Sequence, residues 1–246
     1  MPPVEPVAAD GTAAPRGTAA PRGTAGGPVW TVVVAAGSGT RIGVRKQFVP
    51  VGGRELVAWA LEAATSAGDG VVLVVPADDV DGCAARYRAV RVVAGGATRS
   101  ASVRAGLAAV PAEATVVCVH DGARPFASPA LFRAVVDAVR AGADGAVPGV
   151  AVTDTVKVVD AAGRVTATPE RDRLVAVQTP QAFAAGVLRA AHAAGGEGTD
   201  DAALVEAAGG TVVVVAGEAV NRKVTRPEDL EWAEVQAQAR REGTSS

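Results

Sequence analysis

Short valine-rich runs recur along the chain, at residues 29–35, 71–75, 90–93, 116–120, 145–150 and 212–215. Most are apolar nearly throughout rather than alternating, the pattern of strands buried on both faces in a parallel sheet covered by helices. Between them lie stretches rich in Ala, Leu and Arg, several opened by Pro, Ser or Asp, which predict helices over 55–66, 99–109, 129–140, 181–194, 200–208 and 227–240. Strand and helix in alternation predict an α/β fold, a doubly wound, mostly parallel, Rossmann-like sheet. Ligands of such sheets sit beyond the carboxyl ends of the strands.

The rhythm changes between Asp154 and Leu174. Alternating residues on either side of Asp160-Ala161-Ala162-Gly163 predict a β-hairpin arm inserted into the α/β core. A two-stranded arm is marginal alone, so it is expected to pack on a second copy and make a homodimer. Residues 1–28 repeat Gly-Thr-Ala-Ala-Pro-Arg at 11–16 and 17–22. This Pro/Gly/Ala tract offers no bulky side chains to bury and is expected to be a disordered extension, with residues 29–242 forming one domain.

Composition narrows the function. The chain has 246 residues, 49% of them hydrophobic and 20% charged, enough for one large α/β domain. A formal net charge of −2 argues against a nucleic-acid-binding chain. No window supplies the roughly 20 continuous apolar residues of a membrane helix, and the N-terminal tract has no apolar signal-peptide core. Cys83 and Cys118 have no metal-like spacing. A reducing, cytoplasmic setting is expected.

The first strand runs into Ala35-Ala36-Gly37-Ser38-Gly39-Thr40-Arg41, followed by Lys46-Gln47. Small residues allow close approach of backbone to phosphate, successive N–H groups form an anion-binding concavity, and Arg41 and Lys46 add full charges. A Walker A loop is disfavoured, because Lys46 follows Arg45 and precedes Gln47 instead of standing in Gly-Lys-Ser/Thr. A dinucleotide fingerprint is weakened, because Gly43 falls one residue late and no acidic residue ends a strand about 20 residues on.

Four further polar clusters follow. Gly95-Gly96-Ala97-Thr98-Arg99 leads into a helix carrying Ser102; it suits a nucleobase edge and equally a plain helix cap. His120-Asp121-Gly122-Ala123-Arg124 follows a buried strand, where Asp121 suits Mg²⁺ or a ribose hydroxyl and Arg124 a phosphate or its own loop. Thr155, Arg171 and Thr179 mark a third cluster, suited to a second anion and equally typical of a solvated charged turn; Lys223 and Thr225 mark a fourth, which can meet phosphate but alone is more often an exposed loop. His120 and His192 are read as packing residues.

Taken in order, Ala35-Ala36-Gly37, Arg41, Lys46-Gln47, Gly95-Gly96 with Arg99 and Ser102-Val103, His120-Asp121 through Arg124-Pro125, Asp154-Thr155, Gln178-Thr179-Pro180-Gln181, Thr199-Asp200-Asp201 and Lys223-Val224-Thr225-Arg226-Pro227 resemble the 2-C-methyl-D-erythritol 4-phosphate cytidylyltransferases. The resemblance runs from about Trp30 to the last predicted helix. Ala97 departs from it, standing where an acidic residue often follows the two glycines, and the Arg41–Lys46 loop lacks the usual Pro.

The resemblance implies transfer of CMP from CTP to 2-C-methyl-D-erythritol 4-phosphate, releasing pyrophosphate, with Mg²⁺, in isoprenoid precursor synthesis. It implies that Arg41, Lys46, Arg171 and Lys223 are catalytic and that Ala35, Ala36, Gly37, Ser38, Gly39, Gly95, Ser102, Asp121 and Arg124 bind CTP. Thr155, Arg171, Thr179, Lys223 and Thr225 are then expected on the sugar phosphate, with Asp121 near the metal. Ribitol 5-phosphate or another polyol phosphate as acceptor, and a non-catalytic nucleotide-binding protein, stay open as alternatives.

Overall fold

The computed structural model describes residues 26–37 and 45–243. In chain order the elements are β1 (Val29–Val34), β2 (Pro50–Val51), β3 (Arg54–Glu55), α1 (Leu56–Ala67), β4 (Gly70–Val75), α2 (Val80–Arg86), β5 (Arg91–Ala94) and α3 (Arg99–Ala109). There follow β6 (Val116–Asp121), α4 (Pro129–Arg140), β7 (Gly145–Ala151), β8 (Val158–Val159), β9 (Val165–Ala167), β10 (Val175–Val177) and β11 (Gln181–Ala184). The chain then forms α5 (Ala185–Ala193), α6 (Asp201–Ala207), β12 (Val212–Ala216) and α7 (Pro227–Gly243).

The main sheet has the order β10-β7-β11-β6-β1-β4-β5, with β12 also on β7. Strands β5, β4, β1 and β6 pair in parallel, as do β7 and β12, while β11 and β10 run antiparallel to their neighbours. The sheet is therefore mostly parallel, as its apolar runs predict. Its valines are buried from both sides: Val33, Leu73 and Val71 pack under α1 and α4, and Val32, Val72 and Val74 under α3. Complete burial of each such side chain contributes roughly 1.5–3 kcal/mol. A third cluster, with Trp59, Phe126, Val224 and Ala233, seats α7 on the β2–β3 hairpin side.

Helix starts follow their caps. Thr98, Ser128 and Asp200 each accept a hydrogen bond from the backbone N–H three residues on, opening α3, α4 and α6. The predicted helix over 181–194 needs correction, because Gln181–Ala184 is strand β11, wedged between β6 and β7. Sheet pairing overrides helix propensity there. Phe183 lies opposite Gly145, where a Cβ would come within 2.6 Å of its ring, so the glycine makes room for the aromatic side chain. Helix α2 and strand β10 were not expected; both are short, and β10 has every residue exposed.

The arm is present as β8 and β9, an antiparallel pair with a turn closed by Gly163 at φ +77°. It joins no other strand among the described residues. The expected disordered extension lies outside the described residues as far as position 25. Pro28 already belongs to the fold, its carbonyl accepting from Thr115 N at 2.9 Å.

Candidate active site

Three parallel strands end side by side at one edge. Val34, the last residue of β1, is in register with Asp121, the last of β6, and with Val74 of β4. Beyond these ends lies a cleft of about 590 Å³ lined by Ala35, Ala36, Gly37, Lys46, Arg99, Ser102, Asp121 and Lys223. Gln47 is buried and donates to the Gly37 carbonyl at 3.2 Å, fixing the exit of the first loop. On the opposite wall, Ser102 Oγ accepts from Gly96 N at 3.1 Å and donates to the Thr98 carbonyl at 2.9 Å. A Cβ at Gly95 would lie 2.3 Å from Ala36 Cβ and 2.9 Å from Ser102 Oγ. Only glycine lets the two walls meet there.

Asp121 organises the floor. Lys223 Nζ contacts its Oδ2 at 2.7 Å, while Arg99 Nε and Arg124 Nε each stand 3.8 Å from one of its oxygens. Burial by itself raises a carboxyl pKa, but Lys223, then Arg99 and Arg124, outweigh it and hold Asp121 below its ordinary value. The carboxylate is ionised at neutral pH.

Behind it, His120 Nε2 lies 3.1 Å from the Arg124 carbonyl and Nδ1 lies 3.0 Å from Thr179 Oγ1. A carbonyl only accepts, so Nε2 carries the proton, Nδ1 accepts from the Thr179 hydroxyl, and Thr179 Oγ1 accepts from Asp121 N at 3.0 Å. This chain fixes the backbone from which the Asp121 side chain projects.

A second cleft of about 440 Å³ adjoins, lined by Arg124, Arg222, Lys223, Thr225, Arg226 and Asp229 among others. It is strongly cationic. Asp229, in the first turn of α7, accepts from Thr225 N, Thr225 Oγ1, Arg226 N and Arg222 Nη2, and so shapes the loop before the helix. Asn221 Nδ2 donates to Gln178 Oε1 and to the Thr179 carbonyl, tying this loop to the segment between β10 and β11. Lys223 lines both clefts.

Comparison with known proteins settles the family. The model of the 2-C-methyl-D-erythritol 4-phosphate cytidylyltransferase family (IspD) matches residues 29–238. The chain belongs to this family. A relative of that name from Nocardia farcinica (strain IFM 10152) is 50% identical over 215 residues, covering 85% of this chain and 93% of the relative. A bifunctional enzyme IspD/IspF from Clavibacter michiganensis subsp. michiganensis (strain NCPPB 382) is 50% identical over 216 residues, 82% of this chain but only 53% of that protein. The crystal structure of 4-diphosphocytidyl-2C-methyl-D-erythritol synthase from Anaerococcus prevotii DSM 20548 superposes with a TM-score of 0.78 at 33% identity, covering 87% of this chain and 97% of that one.

Within this cytidylyltransferase the sequence-predicted residues divide by place. Ala35, Ala36, Gly37, Lys46, Ser102, Asp121 and Lys223 line the first cleft, and Gly95 stands behind its wall. Arg124 and Thr225 line the second. Arg124 also donates to the Asn221 carbonyl at 2.8 Å, so it braces the loop that carries Lys223. Thr179, expected on the substrate, is buried behind Asp121 with its hydroxyl already engaged in both directions. Thr155 and Arg171 are exposed and line neither cleft; Arg171 donates to the Thr153 carbonyl at 2.9 Å. Ser38, Gly39 and Arg41 lie outside the described residues.

Arg99 and Asp201 were visible in the motifs but were assigned no task, and no role was read for Asp229 or Asn221. Their signal is polarity in segments that fold inward, which a single sequence does not separate from solvated loops. For a metal, Asp121 is the one carboxylate lining the first cleft, and no group of three or more His, Cys, Asp or Glu could hold an ion among the described residues. That donor set suits a divalent cation held through one carboxylate.

Burial lowers the His120 pKa to about 4, with Asp121 pulling the other way. The unfolded chain binds this proton below about 6.5, so between about 6.5 and about 4 it binds more protons than the folded one. Stability should fall as pH drops through that window, by on the order of 3 kcal/mol in all. Urea unfolding midpoints measured from pH 7 to pH 4 check this, and His120→Gln should flatten the dependence.

Proposed function

We propose that the first cleft holds CTP, the second holds 2-C-methyl-D-erythritol 4-phosphate, and CMP passes between them at Lys223. The observation that carries this reading is that one lysine lines both clefts with its ammonium on Asp121. An oxygen of the sugar phosphate attacks the α-phosphorus of CTP; the bond to the β-phosphate oxygen breaks, and its electron pair leaves with pyrophosphate. A phosphate monoester with a second pKa near 6 is mostly dianionic at neutral pH, so no general base is required. Neutral His120, buried beneath the site, is consistent with that.

The barrier lies in bringing a dianion against a polyanion and in the charge that grows on the α-phosphoryl oxygens. Lys46 and Arg41 meet the triphosphate and its transition state, Ser38 and Gly39 offer backbone N–H groups to it, and Ala35, Ala36, Gly37, Gly95 and Ser102 enclose the base. Asp121 would hold Mg²⁺, which when bound neutralises phosphate charge. Lys223 holds the attacking phosphate beside CTP, with Thr225 and Arg124 supporting its loop. Both cysteines are free and buried, in keeping with a cytoplasmic enzyme.

We assign Arg171 and Thr155 to the partner's second cleft in a homodimer. In one copy they reach neither cleft, and the arm beside them exposes Val158, Val159 and Val165, each at least 47% accessible. Exposed β-branched residues on an isolated hairpin are the apolar surface that a second copy would cover.

Pyrophosphate release should require CTP with 2-C-methyl-D-erythritol 4-phosphate. A matrix of nucleotides against polyol phosphates reads this directly, and faster turnover with ribitol 5-phosphate would reassign the acceptor. Lys46→Ala and Arg41→Ala should each lower kcat by about 10²-fold, the scale of one transition-state donor; near-normal kcat in both would remove their role. Val159→Asp combined with Val165→Asp should give monomers in sedimentation velocity with a raised KM for the sugar phosphate. An unaltered protein that is monomeric at every concentration would contradict the shared site.

A further inference from the structure

Asp201, the first residue of α6, is fully buried, and its two oxygens face different partners. Oδ2 accepts from Arg99 Nη2 at 2.8 Å, and Oδ1 lies 3.0 Å from His192 Nε2. A carboxylate only accepts, so His192 Nε2 carries a proton and donates it in this bond. Arg99 thus stands between two carboxylates: it is hydrogen-bonded to Asp201 but reaches Asp121 only at 3.8 Å. Its Nη1 is buried without a hydrogen-bond partner, although the residue lines the first cleft.

We propose that the buried Asp201–His192 pair is a positioning device that holds Arg99 off Asp121 and keeps its guanidinium beside the bound nucleotide. This rests on reading the cleft as the CTP site. A guanidinium presents five N–H groups in a rigid fork matched to carboxylate oxygens, and two carboxylates within its reach compete for it. While Asp201 retains Arg99, the short contact to Asp121 belongs to Lys223, at 2.7 Å. Without the Asp201 charge, Arg99 closes bidentately on Asp121. It then displaces Lys223 and occupies the oxygens that a ribose or metal would use. His192 donates to Asp201 Oδ1, which leaves Oδ2 as the oxygen that faces the arginine.

The pair acts through Arg99, so the test is one of coupling. Asp201→Asn and Arg99→Gln are each expected to lower kcat/KM for CTP by about tenfold or more, the scale of a lost charged hydrogen bond. The double variant should be no worse than Arg99→Gln alone. His192→Leu should follow Asp201→Asn, and His192→Gln, whose amide N–H reaches the same oxygen, should restore most of the loss. Additive losses in the double variant, or unchanged kcat/KM in Asp201→Asn, would overturn the inference. If Asp201→Asn does not fold, the histidine variants decide, and equal kcat/KM in the Leu and Gln forms would overturn it. Unaltered protein that releases no pyrophosphate from CTP would instead overturn the functional reading, and the inference with it.

Discussion

The contact between Asp121 and Lys223 is the interaction on which the site depends. One partner ends a strand at the centre of the sheet; the other sits in a loop about a hundred residues later, between β12 and α7. Buried Val224 anchors that loop, its N–H donating to the Ala123 carbonyl at 2.8 Å. The ion pair adds to this, as do Arg124, which donates to the Asn221 carbonyl, and Asn221, which donates to the Thr179 carbonyl. The same lysine that closes the fold over the cleft is therefore the cation common to both clefts.

That pair needs a rigid base, which the β6 terminus supplies. Each hydrogen-bonding group from His120 to Thr179 has a single assignable role: imidazole to carbonyl, hydroxyl to imidazole, Asp121 amide to hydroxyl. Polar groups buried in this way are stable only when satisfied, and once satisfied they fix a conformation. The result is a carboxylate whose backbone cannot drift, surrounded by cations whose side chains come from α3, the loop after β6 and the loop before α7.

The sheet and most helices were legible because burial on both faces leaves continuous apolar runs, and because Thr98, Ser128 and Asp200 mark helix starts by chemistry that acts locally. Strand β11 was not legible. Its residues are compatible with the following helix, and only the neighbouring strands and the gap at Gly145 make them extended. Several residues lining the first cleft were named from the sequence because a run of small residues and then Lys46 directly follows the first strand. Thr179 was expected on the sugar phosphate, but its hydroxyl direction is set by His120 and Asp121, partners 59 and 58 residues away. Asp201 and Asp229 act on loops far from the glycine turn, and nothing in their local spacing announces it.

The distribution of charge explains why so ordinary a composition serves a demanding reaction. With a net charge of −2 the chain exerts no broad attraction for anions, yet Lys46, Arg99, Arg124, Arg222, Lys223 and Arg226 all line the two adjoining clefts. Crowded cations repel one another, and Asp201, Asp229 and Asp121 offset that repulsion, paired with Arg99, Arg222 and Lys223 in turn. Each carboxylate is placed so that it restrains a cation without neutralising the cleft. Phosphoryl transfer between two anions requires that balance: enough positive charge to gather the reactants, held so firmly that binding them needs little rearrangement.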